Sequence, residues 1–517
     1  MEKKQQPVQI VNAICGSGKS YNFRQVIEAN PAQKYLIVMP TENLIDQYQN
    51  NSVVETNKVI REDGKQGATR QLKACLSEDF HINVILCTHE AFKRYCREAT
   101  QDADMQKKLK EFTVLIDEVP EASIGGDLKI EASDSFGFMQ TLIERDGLLW
   151  ADPENLELLK QAVKEREGFS EEIRDICYSL LSGSGALFVK ESSSNRLVSF
   201  AINPVIYTAN WCKEFVLLGA GADESELAVM MDQCNIGTVK ADKKWQPDEN
   251  RNKHRNTSKI TLVPALDGNA SMTSLAPVYV ELLQQINRKL KLKPFIYATN
   301  KDKNTQDLSC AFSSLADDSF KDNGERVSMA SHGLNIYAGY AVHGLDEEAL
   351  TKGNVVNVEQ CYKGYTQAAY LGVVNFAGQV NNRFREYCRL KQWDYDTITE
   401  ARRKTNNYES CYQFLCRTAI RDQKNNRNCV FIVPDVGCAE YLKANYFPKC
   451  IIDAPLMKKP RAKMVLREQE INKHDKMIKY IECREKGMKQ KDMAECMNVH
   501  IRTIKNYARE YKLLKAA

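Results

Sequence analysis

The 517-residue chain has no long hydrophobic run. None approaches the roughly 18 apolar residues of a membrane-spanning helix, so no membrane partner is expected. Its first residues, Met1 to Pro7, lead into only a short apolar stretch before Cys15-Gly16-Ser17-Gly18, so no signal peptide is expected. Cys-x-x-Cys is absent although there are 17 cysteines, and the tightest pair is Cys411 and Cys416. That spacing supports neither a zinc ribbon nor a four-cysteine iron–sulfur cluster. An odd number of scattered cysteines points instead to reduced thiols in a cytosol-like compartment, bacterial or host. No internal repeat is visible. The net charge is also small, +4.

That small total hides an asymmetry. Residues 457–517 carry 17 Lys+Arg against 8 Asp+Glu, leaving 55 against 60 for the rest. A slightly acidic body with a basic C-terminal appendage suggests a body that does chemistry and a tail that meets a polyanion. With 43% hydrophobic residues the chain is too apolar for general disorder. Its length suggests about three domains.

Short apolar runs punctuate the first half: Gln9–Ala13, Tyr35–Met39, Val84–Cys87, Val114–Asp117 and Phe215–Leu218. Helical patterns separate them, the first carrying Phe23, Val26 and Ile27. Such alternation predicts βαβ units around a parallel sheet with both faces covered. An insertion over about 125–212 interrupts it, helical over 134–182 and ending in a hairpin of 186–189 with 196–200. The first lobe is expected over 1–240, with a polar boundary at 241–258. A second α/β lobe is expected over 255–453, with a helix near 276–291, a strand at 293–299 and a last core strand at 429–433. A basic linker (454–465) and a small helical domain (466–517) complete the chain.

Residues 13–20 read Ala-Ile-Cys-Gly-Ser-Gly-Lys-Ser, after a strand and before a helix. This is the setting of a phosphate loop. Gly16, Ser17 and Gly18 would wrap backbone N–H groups round the phosphates, and the helix N-terminus adds a positive dipole. Lys19 would reach the β- and γ-phosphates, and the Ser20 hydroxyl would hold Mg²⁺. ATP and Mg²⁺ are therefore the expected cofactors. Asp117-Glu118 ends a hydrophobic strand. Asp117 would hold Mg²⁺ and Glu118 would polarise the attacking water.

With these motifs the chain resembles the superfamily 2 helicases and translocases over roughly residues 8–450. The resemblance implies two RecA-like parallel-sheet lobes with nucleotide between them. Pro40-Thr41-Glu42 and Cys87-Thr88-His89 stand where the family contacts nucleic-acid phosphates, which gives Thr41 and Thr88 that role. Asp117-Glu118-Val119-Pro120 occupies the place of the family's Asp-Glu-Ala-Asp or Asp-Glu-Ala-His tetrad and matches neither. Gly219-Ala220-Gly221 lies where the family has Ser-Ala-Thr, so the hydroxyls that link hydrolysis to strand separation are absent. In the second lobe, Phe295–Asn300 resembles the opening strand, and Ser331–Asn335 a motif facing nucleic acid and nucleotide, with Asn335 toward the cleft. Gln413-Phe414-Leu415-Cys416-Arg417 with Arg421 resembles the family's arginine-finger helix. It has Cys416 in place of Gly, and its last arginine comes one residue late. This makes Gln413, Arg417 and Arg421 catalytic candidates. Gln379–Arg385, with Arg383 and Arg385, is the rival.

The tail segment 490–507 resembles a helix-turn-helix. Ala494 is the small residue at the helix crossing, and Asn498 suits a left-handed turn. Met493, Met497, Val499, Ile504 and Tyr507 fall at buried positions, with a helix near 466–486 as third partner. The last helix would present His500, Arg502, Thr503, Lys505 and Asn506 to duplex DNA. The resulting expectation is an ATP-dependent DNA helicase or translocase, with single-stranded DNA in the motor path and duplex at the tail. By fold-level analogy it would serve replication initiation in a phage, virus or plasmid, beside other replication proteins. An RNA helicase and an ATP-switched DNA-binding regulator are the alternatives.

Overall fold

The computed structural model describes residues 6–50, 58–60, 67–77, 83–130, 139–164, 170–190, 195–275, 278–290, 295–299, 324–328, 365–373 and 378–458, and in the tail 476, 479–481, 483–484, 486–497 and 499–516. The predicted apolar runs are strands: β1 (Val8–Asn12), β2 (Lys34–Met39), β4 (Val84–Thr88), β5 (Phe112–Asp117) and β11 (Glu214–Gly219). Two short strands, β3 (Lys58–Val59) and β12 (Thr238–Lys240), complete a seven-stranded sheet in the order β12-β1-β11-β5-β2-β4-β3. Every pairing in it is parallel. Tyr35 to Met39 and Phe112 to Ile116 are buried throughout, as strands covered on both faces must be. Helices α1 (Lys19–Glu28), α2 (Glu42–Asn50), α3 (Ala68–Ser77) and α4 (His89–Ala99) connect them.

The insertion between β5 and β11 is more β-rich than the sequence suggests. Strand β6 (Ser123–Ile130) pairs antiparallel with β10 (Asn195–Ile202), which pairs with β9 (Leu187–Lys190) in the expected hairpin. The expected helical stretch 134–182 is corrected. Residues 142–151 are a second hairpin, β7 (Leu142–Arg145) and β8 (Leu148–Ala151), and the α-helices described within the stretch are α5 (Leu156–Val163) and α6 (Glu171–Leu181). Asp146 and Gly147 both have positive φ, 52° and 77°, the geometry of a two-residue hairpin turn.

Packing of the first lobe runs past the expected edge at residue 240. Trp245 is buried against its core and its indole N–H donates to Glu214 at 2.7 Å. The last helix of this lobe is α7 (Glu226–Gln233). The second sheet has the order β15-β14-β16-β17-β13-β18, again parallel. Its strands are β13 (Ile260–Leu266), β14 (Phe295–Thr299), β15 (Gly324–Ser328), β16 (Gln367–Tyr370), β17 (Cys429–Asp435) and β18 (Ile451–Ile452). The strand expected to come last, β17, is interior; the chain returns through a helix to add β18 beyond β13. Helix α8 (Tyr279–Lys289) follows β13, the chain between β16 and β17 forms α9 (Gly378–Lys391), α10 (Tyr395–Arg403) and α11 (Ser410–Leu415), and α12 (Val436–Asn445) follows β17.

Two of these helices bridge the lobes. Phe384, Tyr387 and Cys388 of α9 and Ile398 of α10 share a core with Val198, Phe200 and Ile202 of the insertion. The Tyr387 hydroxyl donates to the Ser184 carbonyl at 2.9 Å. Arg402 of α10 forms a buried ion pair with Glu226 of α7. In the tail, α13 (Gln490–Cys496) and α14 (Ile501–Ala516) pack across a short turn, with Tyr480, Met493, Ala494, Met497, Ile504 and Tyr507 buried together. Asn498 lies outside the described residues, as does most of the expected helix at 466–486. No helix among the described residues is long and apolar enough to cross a membrane.

Candidate functional site

The site forms where β1, β5 and β11 end, because in a parallel sheet the loops after the strands share one edge. Beyond β1 the chain turns through Gly16 (φ 78°) and Gly18 (φ 88°) into α1. Only residues free to adopt the left-handed region make this loop without strain. The Ser17 hydroxyl donates to the Ile14 carbonyl at 2.8 Å and holds the loop closed. The Lys19 ammonium donates to the carbonyls of Ala13 (2.8 Å) and Ile14 (3.1 Å), so it sits within the loop's concavity. The Ser20 hydroxyl lies 3.3 Å from Asp117 Oδ2. Expected loop and metal residues thus meet.

Glu118 follows at φ 68°, unusual for a residue with a side chain. Burial, with Asp117 and Cys15 adding negative potential, pushes its carboxyl up to about 8. Burial also raises Asp117, against the opposing effects of Lys19 and the Ser20 hydrogen bond. His89 holds the turn from behind. Its Nε2 lies 2.8 Å from the Asp117 carbonyl, an acceptor, so Nε2 carries the proton. Burial lowers this imidazole to about 4, which keeps it neutral.

The second lobe and the segment joining the two lobes both meet this loop. The Tyr412 hydroxyl accepts from the Cys15 N–H at 3.0 Å, and Asn252 Oδ1 accepts from the Ile14 N–H at 2.8 Å. A Cβ at Gly16 would stand 3.9 Å from Arg421 Cγ, and one at Gly18 would stand 3.9 Å from the Arg251 guanidinium. Arg417 is close enough to lower both Glu118 and Cys15. Of the two arginine sets, Arg417 and Arg421 therefore reach the loop. Arg383 is buried and ion-paired to Asp127, and the Arg385 guanidinium stacks 4.7 Å over Tyr395. Gln413 lies on α11 beside Tyr412.

Gly219 and Gly221 explain the absent hydroxyls by space. A Cβ at Gly219 would lie 2.6 Å from Val119 Cγ2. Gly221 has φ 59°, and a Cβ there would lie 2.7 Å from Glu409 Oε1 of the second lobe. The Gly221 N–H donates to Asn12 Oδ1 at 3.0 Å, so this turn is tied to β1 on one side and faces Glu409 on the other. The Glu409 carboxylate accepts from Tyr441 at 2.6 Å and also from Tyr446. Burial pushes it up to about 7.

Thr41 and Thr88 sit at the same sheet edge, since Met39 is in register with Thr88. Each hydroxyl accepts from its helix N-terminus: Thr41 from the Leu44 N–H at 3.5 Å, Thr88 from the Ala91 N–H at 3.3 Å. Asn335 and its motif lie outside the described residues. In the tail, His500, Arg502, Lys505 and Asn506 are exposed and Thr503 is half-buried. Sequence reasoning missed Arg251, Asn252, His89 and Glu409. Each acts through the tertiary approach of distant segments, and only the polar Asn-Arg-Asn run at 250–252 offered a signal.

No family model matches the chain, and no curated protein matches it. Among solved structures it is similar to that of Xpd4 from S. tokodaii, at 14% identity and a TM-score of 0.44, covering 87% of this chain and 96% of that one. It is also similar to the DUF1998 helicase MrfA bound to DNA, at 12% identity and a TM-score of 0.33, covering 90% of this chain and 49% of that one. The same helicase bound to DNA and AMPPNP gives 12% identity and a TM-score of 0.30, covering 90% and 51%.

Proposed function

We propose that the chain is an ATP-dependent motor of the superfamily 2 type that acts on DNA. The observation that carries this reading is the meeting of two lobes at one loop: Gly16 to Ser20 with Asp117 and Glu118 from one side, Arg417 and Arg421 from the other. The donor set fits Mg–ATP. A hydroxyl beside a carboxylate, with phosphate oxygens and water, suits an ion that keeps much of its water shell. Ser20 and Asp117 would hold the ion, which supplies charge neutralisation on the phosphates. Lys19 would turn from the Ala13 and Ile14 carbonyls to the β- and γ-phosphates. Glu118, deprotonated, would accept a proton from the attacking water. Arg417 and Arg421 would steady negative charge on the transferring phosphoryl and link hydrolysis to lobe closure, with Gln413 positioned on the same helix.

Thr41 and Thr88 would offer their hydroxyl protons to the phosphates of a single strand, while the tail would hold duplex DNA through His500, Arg502, Thr503, Lys505 and Asn506. Asn335 would extend the strand path across the second lobe. A role in replication initiation goes with this pairing of motor and tail. The alternative of an ATP-switched DNA-binding regulator draws support from α9 and α10, whose burial in the first-lobe core restrains lobe separation. The experiment is a steady-state ATPase assay with single-stranded DNA, RNA and no nucleic acid. The motor reading expects DNA to stimulate most, and an equal rate in all three would reject it. A Lys19→Ala chain that still hydrolyses ATP would reject the phosphate-loop assignment.

A further inference from the structure

The phosphate loop leaves its sheet one peptide at a time. The Ala13 N–H still bonds within the sheet's edge, donating to the Gly219 carbonyl at 3.0 Å. The next two N–H groups go elsewhere. Ile14 donates to Asn252 Oδ1 at 2.8 Å, and Cys15 to the Tyr412 hydroxyl at 3.0 Å. Asn252 lies in the segment joining the lobes, and Tyr412 on α11. The carbonyls of the same two peptides, those of Ala13 and Ile14, both accept from the Lys19 ammonium. Each of these planar units is therefore held at both ends, its carbonyl by Lys19 and its N–H from outside the first lobe.

Tyr412 is a firm support. It is fully buried, its ring stacks on Tyr446 at 3.6 Å, and its hydroxyl meets His254 Nε2 at 2.8 Å. A phenolic oxygen has one proton and two lone pairs, so it keeps a lone pair for the Cys15 N–H with either tautomer of His254. His254 comes two residues after Asn252, so one stretch of the joining segment serves both contacts. The Cys416 N–H donates to the Tyr412 carbonyl at 2.9 Å, and Arg417 follows directly. About one helical turn thus separates the support of the loop from the first of the finger arginines.

We propose that Tyr412 and Asn252 are positioning residues: they hold the Cys15 and Ile14 N–H groups and so seat the phosphate loop in register with Arg417 and Arg421. The effect on hydrolysis rests on the reading of that loop as an ATP site; the grip on the loop does not. When Lys19 turns to the phosphates, both carbonyls lose it as a partner. The outside bonds then fix both peptides, because a planar peptide cannot turn its carbonyl without turning its N–H. The phosphate-binding set is closed by other contacts. Ser17 ties the loop to the Ile14 carbonyl, and Ser20 meets Asp117, both within the first lobe. Loss of the outside bonds should therefore spoil alignment with the arginines, which act on the transferring phosphoryl, more than the binding of ATP.

The test compares the full chain with Tyr412→Phe, which keeps the ring and removes one oxygen. Amide hydrogen exchange is read by mass spectrometry at residue resolution, without nucleotide. It should be at least about ten times faster at Cys15 in the variant, with exchange in β5 unchanged. In steady state kcat should fall about tenfold, the cost of a misplaced reacting group, while KM for ATP moves less than about twofold. Tyr370→Phe removes a hydroxyl from the same core and should alter neither. If Tyr412→Phe does not fold, Asn252→Ala carries the same two measurements through the Ile14 N–H. Exchange at Cys15 and Ile14 that matches the parent overturns the grip. Faster exchange with full kcat, whether or not KM rises, overturns the positioning role. Faster exchange in a chain whose parent hydrolyses no ATP supports the grip and rejects the ATPase reading.

Discussion

Arg383 of the bridging helix α9 and Asp127 of the insertion strand β6 form an ion pair whose side chains are 8% and 7% exposed. Arg196, across from β6 on β10, binds the same carboxylate at 2.8 Å. Two cations on one buried anion fasten a second-lobe helix to the first lobe. Arg383 is thereby held in the packing between the lobes, although it stands in an arginine-rich segment that resembles a finger.

Arg383→Ala should therefore cost stability, about 3 kcal/mol, the lower end for a broken buried pair because Arg196 still neutralises Asp127. Thermal melting should show the loss, and the hydrolysis rate per folded molecule should persist. Arg417→Ala should do the reverse. Its melting temperature should hold while kcat falls by roughly 10³. A loss of kcat at unchanged melting temperature in Arg383→Ala would move the finger to α9.

His89 touches Asp117 through its backbone: its Nε2–H fixes the Asp117 carbonyl, and so the turn that carries the carboxylate proposed to hold Mg²⁺. His89→Ala should weaken Mg²⁺ dependence, raising the Mg²⁺ concentration for half-maximal ATPase about tenfold, as outer partners of metal ligands do. ATP binding in the absence of Mg²⁺ should change little. Magnesium titration of both proteins checks the split, and an unshifted midpoint would remove His89 from the site.

Much of this was legible in the sequence. Loop and carboxylates could be found because local motifs report local backbone: Gly18 and Lys19 sit where strand gives way to helix, and Asp117 ends an unbroken apolar run. The β7–β8 hairpin was missed although Asp146-Gly147 marks its turn, because Leu142, Ile143, Leu148 and Leu149 also suit a helix. Contacts between lobes left no such trace. Glu409 meets Gly221, and Cys15 meets Tyr412, across about 190 and 400 residues of chain, and no spacing rule encodes an approach of that kind.

Glu409 gives a pH test of that interface. Burial raises its carboxyl from 4.5 to about 7, so the folded chain takes up a proton that the unfolded chain releases. This contribution is fully present below pH 4.5 and is lost as pH rises through 7. It is worth up to about 3 kcal/mol. Glu409→Gln mimics the protonated carboxyl and should remove that slope. Its melting temperature should match the parent at pH 5 and exceed it at pH 8. Parallel melting curves across that window would show that Glu409 is charged in the folded chain.

The tail should bind by charge in a way the acidic body cannot. Arg502 and Lys505 are exposed on α14, away from the packed face of Ile504 and Tyr507. If both touch phosphates, each releases about one counterion, and the slope of log affinity against log salt carries roughly 0.9 per contact. Replacing both by Ala should flatten that slope by roughly 2 and weaken duplex binding most at low salt. Tail packing should survive, since neither side chain joins the buried cluster. Fluorescence anisotropy of a labelled duplex over a salt series measures both quantities. A parallel downward shift with the slope intact would mean that these residues touch base edges rather than phosphates, while an unchanged curve would place the duplex elsewhere on the chain.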